Sequence, residues 1–264
     1  MKTDVVVITC LRADTASLCL PALVRSPCVN VKAVVWARGG SPKTMRYYVR
    51  RLKKVLKIGP LGAWNGRRMR CWYGMEAPSI DMLCKQFDVP FHTVPFLNGV
   101  EMANLLQALS PTLGVSLGNG YIASRIFSIP KLGMINMHSE ILPAYQNAQS
   151  IIWPIYRNDP HSGFTIHEIE RKIDAGRILY QRKYDLEFFP TLEETVRRNK
   201  KRIEADIPEA ISYVCGNIVE LRAKARPQGP GGHYTTPTIW QYLKMTRNNA
   251  RFYREQQLRK GLMP

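Results

Sequence analysis

The segment Asp4–Trp36, DVVVITCLRADTASLCLPALVRSPCVNVKAVVW, decides the fold class. Its two ends, Asp4–Thr9 and Val31–Trp36, are short runs rich in β-branched residues, a composition typical of buried strands. Between them, Thr15–Val24 can form a helix that Pro21 weakens. The segment therefore predicts a strand, a helix and a second strand, which is the unit that builds parallel sheets.

The same alternation of strands and helices continues to about residue 140. Further strands are predicted at Pro90–Val94, Leu113–Leu117 and Gly133–His138, and further helices at Lys43–Lys57, Ser79–Phe87, Val100–Leu109 and Ile122–Phe127, with a glycine-containing loop over 59–66. Strands separated by helices of this length predict an α/β protein whose mostly parallel sheet is covered by helices on both faces.

The pattern changes after residue 140. It predicts a helix at Ser150–Asn158 and two facing strands at Gly163–Glu170 and Ile178–Asp185. A long helix follows, which opens with a capping box of Thr191 and Glu194 and kinks at Pro208. The chain continues with a linker at Arg226–Gly232 and a basic helix at Thr238–Leu262. We therefore expect a main domain over residues 1–225 and a small C-terminal extension, a linker with a basic helical tail, over residues 226–264.

The composition is that of a globular protein with a hydrophobic core. Hydrophobic residues make up 45% of the 264 residues and charged residues 22%, which excludes a disordered, collagenous or coiled-coil chain. No apolar run approaches the roughly 20 residues that a membrane span needs, and the first residues do not have the pattern of a signal peptide. The six cysteines form no C-x-x-C pair, so we expect a cytoplasmic protein without a disulfide framework.

Positive charge is concentrated in one part of the chain. The net charge is +18, and between Thr15 and Met75 there are thirteen Lys and Arg residues but no Asp or Glu. Such a segment attracts nucleic acid, nucleotide phosphates or an acidic lipid surface, unless it only keeps the protein soluble. We interpret Lys43–Lys57 as a basic outer helix packed on the sheet, because a membrane anchor would carry Trp, Phe or Leu massed on its apolar face.

Two polar side chains are neighbours at the end of a predicted strand. In Gly133–Asn147, GMINMHSEILPAYQN, Asn136 and His138 lie on the same face, at the edge where open α/β sheets bind ligands. Asp174 lies before a tight turn at Gly176. A carboxylate that meets this pair supplies a proton-transfer group, its orienting group and an oxyanion donor, which acyl transfer to an amine requires. The alternative is a hydrogen-bonded histidine at a strand end with an asparagine that caps a turn.

Several motifs carry a resemblance to a known family. They are Asn136-x-His138, Leu142-Pro143-x-Tyr145, Thr165-Ile166-His167 and Ile173-Asp174-Ala175-Gly176-x-Ile178-Leu179, supported by Ile129-Pro130-x-Leu132-Gly133 and Trp153. With these motifs the chain resembles the folate-dependent formyltransferases, which include glycinamide ribonucleotide formyltransferase, methionyl-tRNA formyltransferase and sugar N-formyltransferases. The resemblance is close over about residues 115–181 and looser before them.

The resemblance implies a Rossmann-like fold, the formyl donor 10-formyltetrahydrofolate, and the catalytic residues Asn136, His138 and Asp174. It also implies a donor site between the main chain near Gly120, Tyr121 and Ile122 and a loop from Ile169 to Asp174. His167 is interpreted as a buried structural residue. We expect no metal, because the other histidines have no companions at the spacing of metal ligands.

Two departures from the family pattern lie near the acceptor and the donor. Glu140–Asn147, EILPAYQN, replaces the Ser-Leu-Leu-Pro-Arg-Tyr-Arg-Gly that is usual in the transfer-RNA enzymes, and Lys172 replaces a glycine two residues before Asp174. The departures leave the three expected catalytic residues intact, so we expect the chemistry to be retained and the acceptor to be open.

The favoured acceptor is a nucleotide-linked amino sugar, as in bacterial surface-polysaccharide (O-antigen, lipopolysaccharide) synthesis. Its pyrophosphate would bind Arg12 or basic residues of 38–70, since arginine suits bidentate contacts, and Tyr145 and Gln146 are further candidates for acceptor binding. Methionyl-tRNA is the alternative acceptor, and a non-catalytic basic module that binds RNA or a membrane is the non-enzyme alternative. A homodimer through the C-terminal extension stays open.

Overall fold

The computed structural model describes residues 2–261. In that range the elements follow one another as β1 (Thr3–Thr9), α1 (Thr15–Arg25), β2 (Val29–Ala37), α2 (Met45–Arg70), a 3-10 turn (Cys71–Tyr73), α3 (Ile80–Gln86), β3 (Phe91–Val94), α4 (Val100–Leu109), β4 (Leu113–Ser116), α5 (Ser124–Phe127), β5 (Met134–His138), α6 (Ile152–Tyr156), β6 (His161–Glu168), β7 (Ile178–Asp185), α7 (Leu192–Glu204), α8 (Ile207–Gly216), α9 (Ile218–Lys224) and α10 (Ile239–Arg259).

The strands form one sheet in the order β3-β2-β1-β4-β5-β6-β7. The first five strands of the chain pair in parallel, whereas β6 and β7 are antiparallel to their neighbours. The prediction of a mostly parallel α/β sheet is therefore confirmed. Because their carboxyl ends lie at one edge, β1, β4 and β5 bring the loops that follow them together.

Side chains that alternate along β1 enter two separate cores. Val5 and Val7 pack in a cluster with residues of α1, α3 and α8, and Val6 and Ile8 pack in a cluster with residues of α4 and α5. This is the period-two alternation of a strand that is buried on both faces. The sheet is therefore covered by helices on both sides, as predicted.

The region predicted to be a loop over 59–66 is helical. Helix α2 continues to Arg70 and is interrupted only by a kink at Gly59, whose φ of 75° and ψ of 160° are not helical. Pro60 occupies the first turn after the kink, where its missing N–H costs nothing. The glycines thus mark a change of direction, and the prediction of a loop is wrong.

The helix predicted to kink at Pro208 is two helices. Helix α7 ends at Glu204, and α8 starts at Ile207 with Pro208 in its first turn. Thr191 does accept from the Glu194 N–H, but the Glu194 carboxylate pairs with Arg198 at 2.8 Å. A complete capping box occurs instead at the start of α10.

The C-terminal extension packs on the loop that follows β5. Tyr234 lies against Trp153 with their ring centroids 4.7 Å apart, and its N–H donates to the Gln146 carbonyl. Met245 of α10 is buried in the same aromatic cluster. The predicted tail helix is observed as α10, although Leu262, its expected last residue, lies outside the described range. The division into a domain over 1–225 and an extension stays a prediction.

Within residues 2–261 no helix combines the length and the apolar composition that crossing a membrane requires.

Candidate active site

Asn136 and His138 end the central strand β5, and β6 brings a third polar side chain beside them. In the antiparallel pairing of β5 with β6, Asn136 is opposite His167. The Asn136 Nδ2 atom is 3.4 Å from His167 Nε2. Because the His167 Nδ1 atom is 2.7 Å from the Glu168 carbonyl, which can only accept, Nδ1 carries a hydrogen, and Nε2 is the nitrogen that faces Asn136.

The loop between β6 and β7 brings Asp174 to the same place. Its Oδ2 atom is 3.5 Å from His138 Nδ1 and its Oδ1 atom is 3.6 Å from His167 Nε2. The carboxylate also accepts from the Asn147 N–H at 2.8 Å, and its side chain is 11% exposed. The structure therefore brings together Asn136, His138 and Asp174.

The β6–β7 loop holds this shape because its base is tightly closed. A Cβ atom at Gly176 would lie 1.9 Å from the Glu168 carbonyl oxygen, so a side chain is excluded there. The Glu168 carboxylate accepts from Arg177 Nε at 2.6 Å and from Arg222 Nε at 2.7 Å. The close approach of Gly176 to the Glu168 carbonyl closes the base of the loop, and Asp174, whose φ is 51°, lies at the tip that faces His138.

A chain of hydrogen bonds orients the Asn136 amide. Asn119 Nδ2 donates to Ser116 Oγ at 3.0 Å, and the Ser116 hydroxyl donates to Asn136 Oδ1 at 3.2 Å. Because the oxygen of the amide is engaged by Ser116, its nitrogen points away from β4 toward His167. The amide nitrogen carries two hydrogens: one faces His167, and the other can donate to an oxyanion.

The charges of the site are tuned by burial and by one another. Burial opposes ionisation of Asp174, but contacts with His167, His138 and the Asn147 N–H outweigh it and lower the pKa of this carboxyl to about 2. Burial lowers the pKa of His138, against the opposing effects of the Asp174 charge and the Tyr145 carbonyl. The pair is therefore an ionised carboxylate beside an imidazole that burial keeps neutral at neutral pH.

Glu140 holds the turn that follows His138. Its carboxylate is buried and accepts from three uncharged donors: the Ile151 N–H at 2.6 Å, the Ser162 hydroxyl at 2.7 Å and the Ile141 N–H at 3.1 Å. Burial raises the pKa of Glu140 to about 8, although the three donors lower it. The glutamate that replaces the usual serine of the motif is thus a structural residue behind the site.

The three residues line a cavity of about 420 Å³ at the carboxyl edge of the sheet. The residues expected to bind the donor line the same cavity: they are Gly120, Tyr121, Ile122, Ile169 and Asp174. Lys172, which replaces the glycine of the family pattern, lines it as well.

Two buried oxygen atoms along this cavity have no donor within the protein. They are Asn119 Oδ1 and Gln149 Oε1. A buried acceptor without a partner is unfavourable, so such atoms indicate where a ligand donates hydrogen bonds. The amino group and ring N–H of a pterin are donors of this kind, and the polar lining of the cavity fits such a heterocycle.

The residues expected to bind the acceptor lie outside the cavity lining. Tyr145 is buried, and its hydroxyl donates to Asp159 at 3.0 Å. Gln146 is 1% exposed and donates to the Asp174 carbonyl at 3.2 Å. The Tyr145 hydroxyl and the Gln146 amide nitrogen are engaged by the protein, whereas Gln146 Oε1 has no partner among the described residues. Acceptor binding by these two residues stays a prediction. Arg12 lies at the surface, where it pairs with Asp81 at 3.0 Å and lies over the Trp36 ring.

Sequence reasoning missed several residues that contact the expected catalytic ones. Ser116 and Asn119 carry no recognisable motif, and Asn147 is recognised in the sequence only as the end of a motif that departs from the family pattern. The contacts of Ser116 with Asn136 and of Asn147 with Asp174 join parts of the chain that are 20 and 27 residues apart. His167 was expected to be buried and structural; it is 2% exposed, but it contacts both Asn136 and Asp174. Its alternation with Thr165 along β6 was the available signal. Within residues 2–261 there is no group of three His, Cys, Asp or Glu side chains placed to hold a metal ion.

Sequence comparison relates the central part of the chain to a known protein family. Residues 97–211 match the formyl transferase family. Methionyl-tRNA formyltransferase of Chlorobium chlorochromatii is 26% identical over 181 residues, which cover 69% of this chain and 54% of the relative. This chain spans about half the length of the curated relatives it matches.

Solved structures resemble the protein over most of its length. Glycinamide ribonucleotide transformylase 1 of Symbiobacterium toebii aligns with a TM-score of 0.55 at 14% identity, covering 87% of this chain and 92% of that one. A sugar 3N-formyl transferase, solved in the presence of dTDP and 5-N-formyl-THF, aligns with a TM-score of 0.50 at 14% identity. The alignment covers 88% of this chain and 70% of that one. The protein therefore has the Rossmann-like fold of formyltransferases. With the match of residues 97–211 to the formyl transferase family, the chain is similar to the folate-dependent formyltransferases in sequence as well as in fold.

Proposed function

We propose that this protein transfers a formyl group from 10-formyltetrahydrofolate to the primary amine of a nucleotide-linked amino sugar. The observation that carries the proposal is the convergence of Asn136, His138 and Asp174 on one cavity, with Asp174 Oδ2 3.5 Å from His138 Nδ1. These residues supply an amide donor, a proton-transfer group and a carboxylate, which are the parts that acyl transfer to an amine requires.

Asn136 stabilises the negative charge that develops on the formyl oxygen when the amine adds. Its amide oxygen accepts from Ser116, so its nitrogen is the group that faces a ligand. A side-chain donor of this kind contributes about 3 kcal/mol to the stabilisation of a transition state. The role needs no movement of Asn136, because its hydrogen bonds within the protein already orient it.

His138 moves the proton from the incoming amine toward the departing folate nitrogen. Its Nε2 atom is 2.7 Å from the Tyr145 carbonyl, which can only accept, so Nε2 carries a hydrogen and Nδ1 is the nitrogen that gains and loses a proton. The Asp174 carboxylate faces Nδ1 and stabilises the protonated ring. A neutral imidazole next to an ionised carboxylate is ready to accept a proton.

The folate supplies the formyl group when it is bound. Gly120, Tyr121 and Ile122 would hold its pterin on one side, and the loop from Ile169 to Asp174 would hold it on the other. Asn119 and Gln149 would accept from its N–H groups.

The choice of acceptor follows from positive charge near the carboxyl edge of the sheet, where the cavity also lies. Four cationic side chains line a groove beyond the carboxyl end of β2: they are Arg38, Lys43, Arg46 and Arg50. A pyrophosphate is a suitable ligand for such a cluster. The sugar 3N-formyl transferase that aligns over 88% of this chain supports the same choice. We assign the reaction to a cytoplasmic step of surface-polysaccharide synthesis.

The test is an acceptor panel with 10-formyltetrahydrofolate, in which release of tetrahydrofolate is measured. The panel contains nucleotide-linked 3- and 4-amino sugars, glycinamide ribonucleotide and methionyl-tRNA. We expect turnover with an amino sugar. Turnover with none of them contradicts the activity itself, and turnover with glycinamide ribonucleotide or methionyl-tRNA alone contradicts the acceptor.

Methionyl-tRNA is the second candidate acceptor, because methionyl-tRNA formyltransferases are among the curated relatives that match this sequence. Salt distinguishes the two. A nucleic-acid acceptor releases counterions when it binds, so kcat/KM would fall steeply with salt, whereas a diphosphate gives a shallower slope.

A further inference from the structure

The first half of helix α2, Met45–Lys57, lies on the surface with almost no contact to the rest of the protein. Every residue in it is exposed except Val55, which is half-buried. The interpretation of this segment as a helix packed on the sheet is therefore wrong. Ile58, next to the kink, is the first residue of α2 to be buried.

The exposed segment is amphipathic, and its apolar face has no partner. Six side chains fall within about 120° of the helix surface at 100° per residue: they are Met45, Tyr48, Val49, Leu52, Val55 and Leu56. Met45 is 77% exposed, Leu52 60% and Leu56 72%. Eight of the eighteen large hydrophobic side chains exposed in the described range lie between Met45 and Trp64. A cluster of this kind indicates an interaction surface.

Apart from the exposed Tyr47, the remaining faces of the segment are positive. They carry Arg46, Arg50, Arg51, Lys53, Lys54 and Lys57. Helix α2 as a whole contains nine Lys and Arg residues and no Asp or Glu, and none of the ion pairs among residues 2–261 includes a residue of α2. The partner of this helix must therefore be anionic as well as apolar.

These two properties together select one partner. A second copy of the chain would bring two clusters of positive charge against each other, which opposes association. RNA would satisfy the charge, but its phosphates and bases give no reason for a stripe of Met, Val and Leu side chains. A bilayer with anionic headgroups satisfies both, since acyl chains take the apolar stripe while lysine and arginine reach the headgroups.

We propose that Met45–Lys57 is an interfacial helix that binds the protein to the surface of anionic membranes. The segment follows the carboxyl end of β2, which lies at the same edge of the sheet as the carboxyl ends of β4 and β5. Binding through this helix holds the edge that carries the cavity close to the bilayer. Arg46 and Arg50 of this helix also line the groove proposed for the acceptor, but Arg51, Lys53 and Lys57 lie outside it, so membrane binding can be tested separately from the proposed chemistry.

The test is co-sedimentation of the whole protein with vesicles of phosphatidylcholine, alone or mixed with phosphatidylglycerol. We expect binding to the mixed vesicles, little binding to phosphatidylcholine alone, and weaker binding at high salt because screening reduces the attraction. The double substitution L52Q/L56Q preserves the charge and removes apolar contact, so we expect it to weaken binding at least tenfold. We expect the triple substitution R51Q/K53Q/K57Q, whose residues lie outside the groove proposed for the acceptor, to remove the preference for anionic lipid.

The matched control is Val219→Gln, since Val219 is 72% exposed, as is Leu56, but lies on α9. We expect it to bind vesicles like the wild type, and the thermal unfolding of each variant shows that it is folded. The proposal is overturned if the wild type does not bind mixed vesicles, or if L52Q/L56Q binds them as well as the wild type does. It is also overturned if the protein forms a dimer that L52Q/L56Q dissociates and that does not bind vesicles. Tight binding of RNA, unchanged in L52Q/L56Q, without binding to vesicles has the same meaning.

Discussion

The His138 imidazole and the Asp174 carboxylate face each other across the cavity, with Nδ1 and Oδ2 3.5 Å apart. His138 ends a strand of the parallel part of the sheet, and Asp174 lies at the tip of the loop between the two antiparallel strands. The contact therefore joins the two halves of the sheet. The first prediction addresses what this contact does.

Asp174→Asn should lower kcat by about a hundredfold or more, because the protonated form of His138 loses its counter-charge. The amide is close to the carboxylate in shape and can still accept from the Asn147 N–H, so the loop should stay in place. Tetrahydrofolate release under single-turnover conditions measures the effect. Asp185→Asn, at a side chain that is 92% exposed, is the control. A loss of less than threefold for Asp174→Asn would mean that the carboxylate is only structural.

Asn136→Ala should lower kcat by about 10²–10³-fold with a smaller change in KM, because the amide donates to charge that develops only in the transition state. Ser116→Ala should have a smaller effect in the same direction, since it removes the hydroxyl that orients the amide. Asn30→Ala, at an exposed asparagine that contacts Asp4, is the control. A rise in KM for the donor with kcat unchanged would instead assign Asn136 to ground-state binding.

Glu140 should make the stability of the protein depend on pH. Its pKa is about 8 in the folded protein and 4.5 ordinarily, so the folded state binds the proton more tightly. The contribution is fully present below about pH 4.5, and it is lost as the pH rises from there through 8, at up to 1.36 kcal/mol per pH unit. Glu140→Gln, which does not titrate, should lose less stability over that range.

Thermal unfolding of the wild type and of Glu140→Gln at several pH values between 5 and 9 measures this difference. The melting temperatures of the two proteins should diverge as the pH changes. Parallel curves would show that Glu140 is ionised in both states, held by the Ile151, Ser162 and Ile141 donors alone.

Gly176→Ala should abolish most of the activity and lower the melting temperature by several degrees. A Cβ atom there would lie 1.9 Å from the Glu168 carbonyl oxygen, so the β6–β7 loop must open and Asp174 must move away from His138. Gly229→Ala is the matched control, because a Cβ at Gly229 meets nothing within 4 Å. If both variants behave like the wild type, the position of Asp174 does not depend on the closed base of the loop.

Much of the fold could be predicted from local patterns. The runs of β-branched residues from Asp4 to Thr9 and from Val31 to Trp36 are strands because each fills a position that is buried on both faces. The same period-two rule placed Asn136 and His138 on one face of β5. Where a glycine or proline decided the local structure, the pattern was ambiguous: Gly59 and Pro60 signal a break in either a loop or a helix, and the structure shows a kinked helix.

The contacts that complete the site depended on the tertiary structure. Which strand lies beside β5 is a matter of long-range pairing, and the antiparallel return of β6 is what places His167 opposite Asn136. Tyr145 and Gln146 show the same limit: their sequence positions suggest a site rim, but packing against Asp159 and Asp174 buries them. Likewise, periodicity showed that Lys43–Lys57 is amphipathic, while only the folded chain shows that its apolar face meets solvent. Local patterns determine which side chains share a face; which element covers that face depends on contacts between residues far apart in the chain.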